Sequence, residues 1–543
     1  MISAVRIMPP SRLDLAAPWI AGAVLAAPVL LFRYPPMGDL PFHEALVALL
    51  RGMSDVALFP RGLYVHNWGP PNQLFYAIAW LLSLALPTDL ACKVVVAGSA
   101  LLIPVTAARL ADHLGASRWT ALLVAPLALG GMFKWGLVTN LLALPLLLGA
   151  LPSLDRLAEA PTARRAAIAL GWAAVLYEGH ESALVVFAAA AVLFAAIRPL
   201  RSWAVLLRVS PAIGAVALAA THLVRSEHLK TPVVRAIPDS FAPELPKILE
   251  VPDVLLGATG TAGWFFAASV GALALFVIPA LRLGRGGGEA SARELAVRFR
   301  FELLAATCFV LYLVMPLAFG GATLVYQRFL APAWAILIVA SASRARPLRA
   351  SAAARLAASG LPVAMVLLSL PAFAASSRTH RALDALFPLI EKGSAVAQLD
   401  FTPRAPSVVA PTPGAPARAL ATRGGRLLFS FSEIHTAPVL VRAEYDWSEP
   451  IMRLVYAPSA FCPSHDFVRF RYLLAKMGDE RLRRALVVAL APEGRLVEGA
   501  GDWLLFESTL AVDPLASPDR ALPRPPPVCI GQRLTKILAG PRP

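Results

Sequence analysis

The stretch "AAPWIAGAVLAAPVLLF" (residues 16–32), followed a few residues later by "GDLPFHEAL" (residues 38–46), decides the fold class of this chain. Its first part is an unbroken apolar run, long enough to cross a hydrocarbon core of about 30 Å. Similar runs recur through the first 375 residues, and the whole chain is 57% hydrophobic but only 15% charged. Soluble domains usually carry about 25% charged residues. We therefore predict an α-helical polytopic membrane protein with roughly 11 to 13 transmembrane helices.

The net charge of +16 comes largely from basic residues in short loops between apolar runs. One such loop contains no acidic residue and carries Arg344, Arg346, Arg349 and Arg355. Cytoplasmic loops of membrane proteins carry this excess of arginine, so the charge indicates orientation among membrane lipids rather than a nucleic-acid partner. We predict a multi-pass protein of the cytoplasmic (inner) membrane, with a cytoplasmic N-terminus and an uncleaved first helix.

The apolar segments and the arginine-rich loops together predict a topology. The first helix places loop 34–72 outside, and the back half alternates so that everything after residue 375 is outside. The four segments of the front half do not alternate correctly, so one of them must be a re-entrant or half-span element. The candidate spans after the first helix lie near 73–88, 91–109, 119–133, 136–153, 167–177, 182–197, 202–221, 262–281, 300–318, 329–343 and 356–374.

The composition changes at the end of the predicted transmembrane part, residues 1–375. Residues 376–420 contain a Pro/Ala-rich run and predict an extended connector. Residues 421–515 combine short apolar runs with an amphipathic helical pattern, "DERLRRALVVALAPEG" (479–494), and predict a small extracytoplasmic α/β domain. A Pro-rich tail follows at residues 516–543.

The four cysteines form no closely spaced metal-binding pair. Cys92 and Cys308 lie in or beside apolar segments, where cysteine usually behaves as a small hydrophobic residue. Cys462 and Cys529 both lie in the polar C-terminal region, where an extracytoplasmic location would allow a disulfide between them.

"GDLPFHEAL" places ionisable side chains directly after the first span. Asp39 and His43 are four residues apart, so they share one face if this segment is a helix. A carboxylate here suits a general base for an acceptor hydroxyl, or a ligand for a divalent cation. The alternative is that Asp39 only caps the helix. Glu44 lies off the shared face and is predicted to be a surface residue.

A polar segment, "HNWGPPNQ" (66–73), leads into the next apolar run. Its side chains His66, Asn67 and Gln73 are candidates for binding a sugar, because a few placed polar groups fix the orientation of a ligand in its pocket. The alternative is an interfacial segment whose neighbouring aromatic residues belong to the membrane–water belt.

Polar residues also interrupt or begin later apolar segments. Glu178 and His180, in "LYEGHESALVVF" (176–187), separate two apolar runs, where ionisable groups are costly and often functional. The alternative there is a solvated turn. Arg328 lies at the entry of a late helix, and its guanidinium fork matches the oxygens of a phosphate. The alternative for Arg328 is an interfacial side chain that reaches lipid head groups.

Together these features resemble the GT-C superfamily of polytopic glycosyltransferases, which use polyprenyl-phosphate-linked sugars. The similarity lies in the acidic first outer loop, the outer C-terminal domain, the "PPNQLFY" entry into the second helix and the "RFLAP" entry into a late helix. The first two motifs, "GDLPFHEAL" and "PPNQLFY", look most like uncharacterised bacterial GT-C-like membrane proteins. The resemblance implies a GT-C-like fold and sugar transfer from a polyprenyl-phosphate donor at the outer face of the membrane.

The resemblance also implies roles for single residues. Asp39 matches the catalytic acid of the first loop, Arg328 the arginine that meets the donor phosphate, and His180 the polar residue between the middle helices. His43 and His66 would orient groups. The Asp-Glu pair of the mannosyltransferases is absent, since Leu40 follows Asp39. A divalent cation, Mg or Mn, bound through Asp39 is therefore left open as a cofactor.

Two other function classes remain. A non-catalytic membrane scaffold or lipid-binding protein of the same fold, acting in envelope assembly, predicts that Asp39, His180 and Arg328 lie apart. A transporter predicts polar residues that continue across the membrane interior, whereas most charges here lie at the ends of apolar segments.

Overall fold

A computed structural model describes residues 11–199, 202–225, 240, 244–257, 262–283, 291–319, 322–343, 350–402, 414–447, 454–455, 457–512 and 528–539. Helices before residue 390 form a bundle, and a mixed β-sheet lies in a C-terminal domain. The bundle helices are α1 Arg12–Leu31, α2 Leu40–Gly52, α3 Leu74–Ser83, α4 Thr88–Leu114, α5 Ala121–Val124, α6 Gly131–Trp135, α7 Val138–Glu159, α8 Ala163–Gly179, α9 Glu181–Ala196, α10 Ser202–Arg225, α11 Glu244–Leu249, α12 Val251–Leu256, α13 Ala262–Leu283, α14 Ala292–Arg298, α15 Arg300–Val314, α16 Leu330–Ser343 and α17 Ala352–Leu386.

Among the described residues, five helices are long and apolar enough to cross a membrane. They are Arg12–Leu31, Thr88–Leu114, Val138–Glu159, Trp203–His222 and Ala352–Leu389. Shorter apolar helices pack between them at Leu74–Ser83, Glu181–Ala196 and Ala262–Ile278. The predicted class, a polytopic helical membrane protein with a small C-terminal α/β domain, is confirmed.

Side-chain contacts distinguish the two ends of the bundle. We call the end that contacts the C-terminal domain the domain end, and the opposite end the far end. At the domain end, Lys93 near the start of α4 donates a hydrogen bond to the Phe32 carbonyl at 3.3 Å. At the far end, His113 near the end of α4 bonds to Asp155 of α7 at 2.8 Å. Helix α4 therefore runs from the domain end to the far end.

Helix α3 is the half-span element in the front half of the chain. It has only 10 residues, which is about 15 Å of helix and half of a hydrocarbon core. Both of its flanks lie at the domain end, because Gln73 donates to the Thr436 carbonyl of the C-terminal domain and α4 begins five residues before Lys93. A full span over residues 73–88 is therefore wrong.

The predicted span 119–133 is broken rather than continuous. At the far end, Trp119 donates to Asp14 at 2.7 Å, and at the domain end the Lys134 carbonyl accepts from the loop before α2 at 2.9 Å. Between them the chain forms the short helices α5 and α6 joined by a 3-10 turn. Pro126 lies in that turn and has no backbone N–H to continue an α-helix.

The sheet topology is mixed. Strand β4 Ala395–Asp400 lies between β5 Arg426–Leu427 and β7 Tyr472–Lys476 and is parallel to both. The antiparallel hairpin β8 Gly494–Ala500 and β9 Trp503–Ser508 completes the sheet in the order β5-β4-β7-β9-β8. Separate two-stranded pairs are formed by β1 Tyr64–His66 with β6 Val439–Val441, and by β2 Ala318–Phe319 with β3 Ala322–Thr323.

The boundaries of the C-terminal domain differ from the predicted ones. Helix α17 continues eleven residues past 375 because its last turns bury His380, Leu383 and Leu386 although the segment is less apolar. Strand β4 falls inside the predicted connector 376–420, and helix α18 Ala417–Arg423 begins inside it. The Pro-rich part of that connector, residues 403–413, lies outside the described residues.

The remaining domain helices are α19 Pro463–Asp466, α20 Glu480–Leu490 and α21 Ile530–Ala539. Helix α21 lies within the predicted tail 516–543 and is fixed to the domain, because Arg533 binds both carboxylate oxygens of Glu493 at 2.6 and 2.7 Å. Cys462 and Cys529 form a disulfide directly before this helix. Residues 513–527 lie outside the described residues.

The C-terminal domain is joined closely to the first loop of the bundle. Strand β1 of that loop pairs with β6 of the domain, and α2 packs along α18. Arg418 of α18 donates to Glu44 of α2 at 2.9 Å, with Glu44 only 3% exposed. The prediction that Glu44 is a surface residue is wrong, because its ion-pair partner lies 374 residues away in the sequence.

Candidate functional site

A cavity of about 250 Å³ lies at the domain end, between the helix bundle and a loop of the C-terminal domain. Four of the predicted site residues line it, Asp39, His43, His180 and Arg328. The other lining residues are Asn72, Tyr76, Leu137, Thr139, Asn140, Glu181, Ala322, Thr323, Phe429, Phe431, Ile434, His435, Thr436 and Ala437.

The backbone of Asp39 is held by the end of α6. Its N–H donates to the Trp135 carbonyl at 3.1 Å. Gly136 has φ +82°, and a Cβ at that position would lie 2.5 Å from the Asp39 nitrogen. A left-handed backbone and this close approach both require glycine there. The position of Asp39 is therefore fixed by the broken segment that crosses the bundle.

The side chain of Asp39 is not used as a helix cap. Asp39 occupies the N-cap position of α2, but its carboxylate accepts no capping hydrogen bond. Burial raises the pKa of Asp39 to about 7, and the positive charge of Arg328 opposes this rise. A carboxyl group with a pKa near neutrality can both accept and release a proton at physiological pH. The capping alternative does not describe this residue.

His43 lies one helical turn after Asp39 and is surrounded by aromatic rings. Its Nδ1 is 2.7 Å from the Tyr76 hydroxyl, and its ring packs edge-on against Phe431 at a centroid distance of 4.8 Å. Burial lowers the pKa of His43 to about 3, so the ring is neutral. A neutral ring in this position orients groups and carries no charge to the cavity.

Arg328 and His180 form a pair of hydrogen-bond donors. His180 Nδ1 accepts from the Ser182 backbone N–H at 3.0 Å, and burial lowers the pKa of His180 so that the ring is neutral. The proton of a neutral ring that accepts at Nδ1 is on Nε2, which lies 3.2 Å from an Arg328 guanidinium nitrogen. Two donors at this distance cannot satisfy each other, but one acceptor that binds beside the pair can accept from both.

Other contacts leave part of the Arg328 guanidinium available. One terminal nitrogen donates to the Thr323 carbonyl at 3.0 Å, and the other lies 3.8 Å from a Glu181 carboxylate oxygen. The buried Nε has no hydrogen-bond partner among the described residues. The side chain is 14% exposed, so it faces the cavity instead of extending to lipid head groups. This geometry suits an oxyanion.

The fold, with this cavity at its domain end, is similar to a solved structure, ArnT from Cupriavidus metallidurans in the apo state. The match has a TM-score of 0.52 and 12% sequence identity, and it covers 90% of this chain and 96% of that one. The chain has a GT-C-like fold. At this identity the similarity concerns the fold. No protein-family model matches the sequence, and no curated protein matches it either.

Four of the predicted site residues do not line the cavity. His66 is exposed on β1, and Glu178 is half-buried within α8. Asn67 donates to the carbonyls of His435 and Ala437 at 3.0 and 2.9 Å. The Gln73 amide donates to the Asn67 carbonyl at 2.7 Å and accepts from the Gly69 N–H at 3.0 Å.

The amides of Asn67 and Gln73 therefore hold one wall of the cavity in place. That wall is the loop 434–437 of the C-terminal domain, and Asn67 and Gln73 bind its backbone carbonyls. These residues were predicted from their polarity alone, and their backbone partners lie more than 360 residues away in the chain. Their contribution to the site is structural in the described conformation.

Two asparagines of the cavity were missed by the sequence analysis. Asn72 has φ +72°, and its side chain accepts from the Glu181 N–H at 2.8 Å. Asn140, inside an apolar span, donates to Ser182 Oγ at 2.9 Å. An asparagine within a long apolar run was the available indication for Asn140, because a buried amide needs partners. His435 had no comparable indication.

Proposed function

We propose that the protein is a membrane glycosyltransferase that moves a sugar from a polyprenyl-phosphate donor to an acceptor hydroxyl at the outer face of the cytoplasmic membrane. The observation that carries the proposal is the convergence, in one cavity, of a carboxyl group with a pKa near 7 and an incompletely paired arginine. The GT-C-like fold supports the same reaction class.

In the proposed reaction, the acceptor oxygen attacks the anomeric carbon while the bond from that carbon to the phosphate oxygen breaks. The proton of the acceptor hydroxyl goes to Asp39, and the electron pair of the broken bond leaves with the polyprenyl phosphate. Attack opposite to the leaving group inverts the anomeric configuration. General-base catalysis of this type contributes roughly 10²- to 10⁴-fold.

A phosphate oxygen of the departing group would bind beside the Arg328 guanidinium and His180 Nε2, within hydrogen-bond distance of both. Both groups are donors, and they face each other at 3.2 Å, so a phosphate oxygen would satisfy both at once. Charge-assisted hydrogen bonds of this kind are strong and geometrically specific. Preorganised donors aimed at a developing negative charge lower the barrier without reorganisation during the reaction.

A divalent cation does not enter this mechanism. Among the described residues, no three His, Cys, Asp or Glu side chains are grouped so that they could hold a metal ion. Asp39 and Glu181 both line the cavity, but without a third grouped ligand the residues described there do not fit a metal held by the protein alone.

The test is sugar transfer by the purified protein in lipid vesicles, with a radiolabelled polyprenyl-phosphate sugar and a lipid extract of the cell envelope as acceptor. We expect Asp39→Asn to lower transfer by roughly 10²- to 10⁴-fold while the protein stays folded and still binds the donor. Asp55→Asn is a matched control, because Asp55 is an exposed residue of the same loop and does not line the cavity. Equal transfer by the two variants would remove Asp39 from the mechanism, whereas no transfer by the wild-type protein would favour a non-catalytic membrane scaffold.

A further inference from the structure

We propose that the C-terminal domain positions Asp39, with Arg418 of α18 acting as a positioning residue through its contact with α2. This inference rests on the proposed role of Asp39 as the base, and it assigns to the domain a function in catalysis beyond forming one wall of the cavity. The domain holds the Asp39 segment through an ion pair, a glycine contact and an aromatic cluster.

The first contact is the buried ion pair between Arg418 and Glu44. The two side chains meet at 2.9 Å with 7% and 4% exposure. Glu44 lies on α2, five residues after Asp39, which is the N-cap residue of that helix. Because a helix is rigid over such a distance, a displacement of Glu44 also displaces Asp39.

Arg418 links α2 to two further parts of the bundle. Its guanidinium lies over the Tyr34 ring at 4.5 Å, just after α1, and its Nε is 4.0 Å from an Asp384 carboxylate oxygen of α17. Tyr34 in turn hydrogen-bonds to Asp384. A single side chain of the domain thus connects α2 with the ends of α1 and α17.

The second contact is made by the backbone just before α18. The Gly414 N–H donates to the Gly38 carbonyl at 3.1 Å, the residue immediately before Asp39. A Cβ on Gly414 would lie 2.5 Å from that carbonyl oxygen. Together with the contact from Gly136 on the other side, the Asp39 segment is held between the bundle and the domain.

The third contact is an aromatic cluster. Phe42 of α2 stacks on Phe431 at a centroid distance of 4.9 Å and meets Phe429 edge-on at 5.2 Å. Both domain residues also line the cavity. The first turn of α2 and the cavity wall therefore move as one packed unit, and reactions that depend on near-attack geometry lose rate with small displacements of the base.

The experiment compares two arginine variants of the full-length protein in lipid vesicles. Arg418→Met removes the contact with α2. Arg533→Met is the control, because it removes an ion pair of the same domain, between Arg533 and Glu493, that does not involve α2. The double variant Glu44→Gln/Arg418→Met avoids an unpaired buried carboxylate, should the single variant fold poorly. Transfer kinetics and amide hydrogen exchange of residues 38–43 are measured for each variant.

We expect both Arg418 variants to lower kcat by roughly 10- to 100-fold, with KM within a factor of about three. We also expect exchange of the amides of residues 38–43 to be at least about tenfold faster. Arg533→Met should leave both quantities within about twofold of the wild-type protein. In an Asp39→Asn background, Arg418→Met should cause no further loss of transfer, because a residue that acts through Asp39 has nothing left to position.

The inference is overturned if the Arg418 variants match Arg533→Met in both kcat and amide exchange. It is also overturned if Arg418→Met lowers sugar transfer in the Asp39→Asn background by as much as it does in the wild-type background. The exchange measurement does not require transfer. If the wild-type protein transfers no sugar, the proposed function fails, and unchanged exchange at residues 38–43 would separately refute the positioning by Arg418.

Discussion

Asp155 and Asp39 lie at opposite ends of the helix bundle, and their surroundings differ in nearly every respect. Asp155 is fully buried, and Arg300 binds both of its oxygens at 2.6 Å while His113 bonds at 2.8 Å. Asp39 is partly exposed to a cavity and caps no helix. Its principal cationic neighbour, Arg328, has a buried nitrogen with no partner in the described part of the chain.

The difference separates a carboxylate that holds helices together from one that is free to react. Asp155 lies on α7 and its two partners lie on α4 and α15, so this cluster ties three helices at one point. A fully paired carboxylate has little capacity to accept a proton. A carboxyl group left without close partners is disfavoured in its charged form, and such groups concentrate at functional sites.

The largest expected effect is a contrast in stability between two matched substitutions. Asp155→Asn leaves Arg300 uncompensated in a buried site and should lower the free energy of unfolding by about 3 to 5 kcal/mol. Asp39→Asn should raise it at pH 8 by roughly 1 to 3 kcal/mol. Burial raises the Asp39 pKa to about 7, so its contribution to stability is lost as pH rises from about 4 to 7.

Thermal unfolding in detergent at pH 8 measures both substitutions. The comparison between the two carboxylates fails if both variants melt at lower temperature by similar amounts, since Asp39 would then be a structural residue like Asp155.

An intermediate effect concerns the backbone that holds Asp39. Gly136→Ala places a Cβ 2.5 Å from the Asp39 nitrogen and should lower kcat by roughly 10- to 100-fold. Gly115→Ala is the control, because Gly115 has φ +70° but no atom of the described residues lies within 4 Å of its Cβ position. Both substitutions carry similar backbone strain, so equal losses of transfer would mean that strain alone, and not displacement of Asp39, explains the result.

The smallest expected effect is at His66. This side chain is exposed on β1 and does not line the cavity, so His66→Ala should leave KM for the donor and the acceptor within about twofold of the wild-type values. Steady-state kinetics with each substrate varied in turn provide the measurement. A rise of KM above about fivefold would show that the substrate-binding site extends beyond this cavity.

The sequence predicted the fold class and the approximate ends of most long helices. Both follow from the requirements of a bilayer, which fix the length of apolar segments and favour arginine in the loops between them. It did not predict that α3 is the half-span, since a run of apolar residues does not indicate whether both flanks return to one end. It also missed the extension of α17, where polar residues on one face end the hydropathy run but not the helix.

The candidate site was predictable in part. Asp39, His43, His180 and Arg328 were found because ionisable residues at the ends of apolar segments are unusual, and they line one cavity. Asn67 and Gln73 were predicted for sugar binding, but they bind backbone of the C-terminal domain. Glu44 shows the same limit, because its partner Arg418 is distant in sequence and only the folded chain brings the two together.

The measurement that tests the central claim most directly is the pH dependence of kcat/KM for sugar transfer between pH 5 and 9, because this ratio reports the pKa values of the free enzyme. A base with a pKa of about 7 predicts that kcat/KM falls tenfold per pH unit below that value. Arg328 lowers the Asp39 pKa, so Arg328→Gln should shift this limb to higher pH, whereas Arg328→Lys, which keeps the charge, should lower kcat/KM without shifting it. A wild-type rate that is constant from pH 5 to 9 would contradict the assignment of Asp39 as the base.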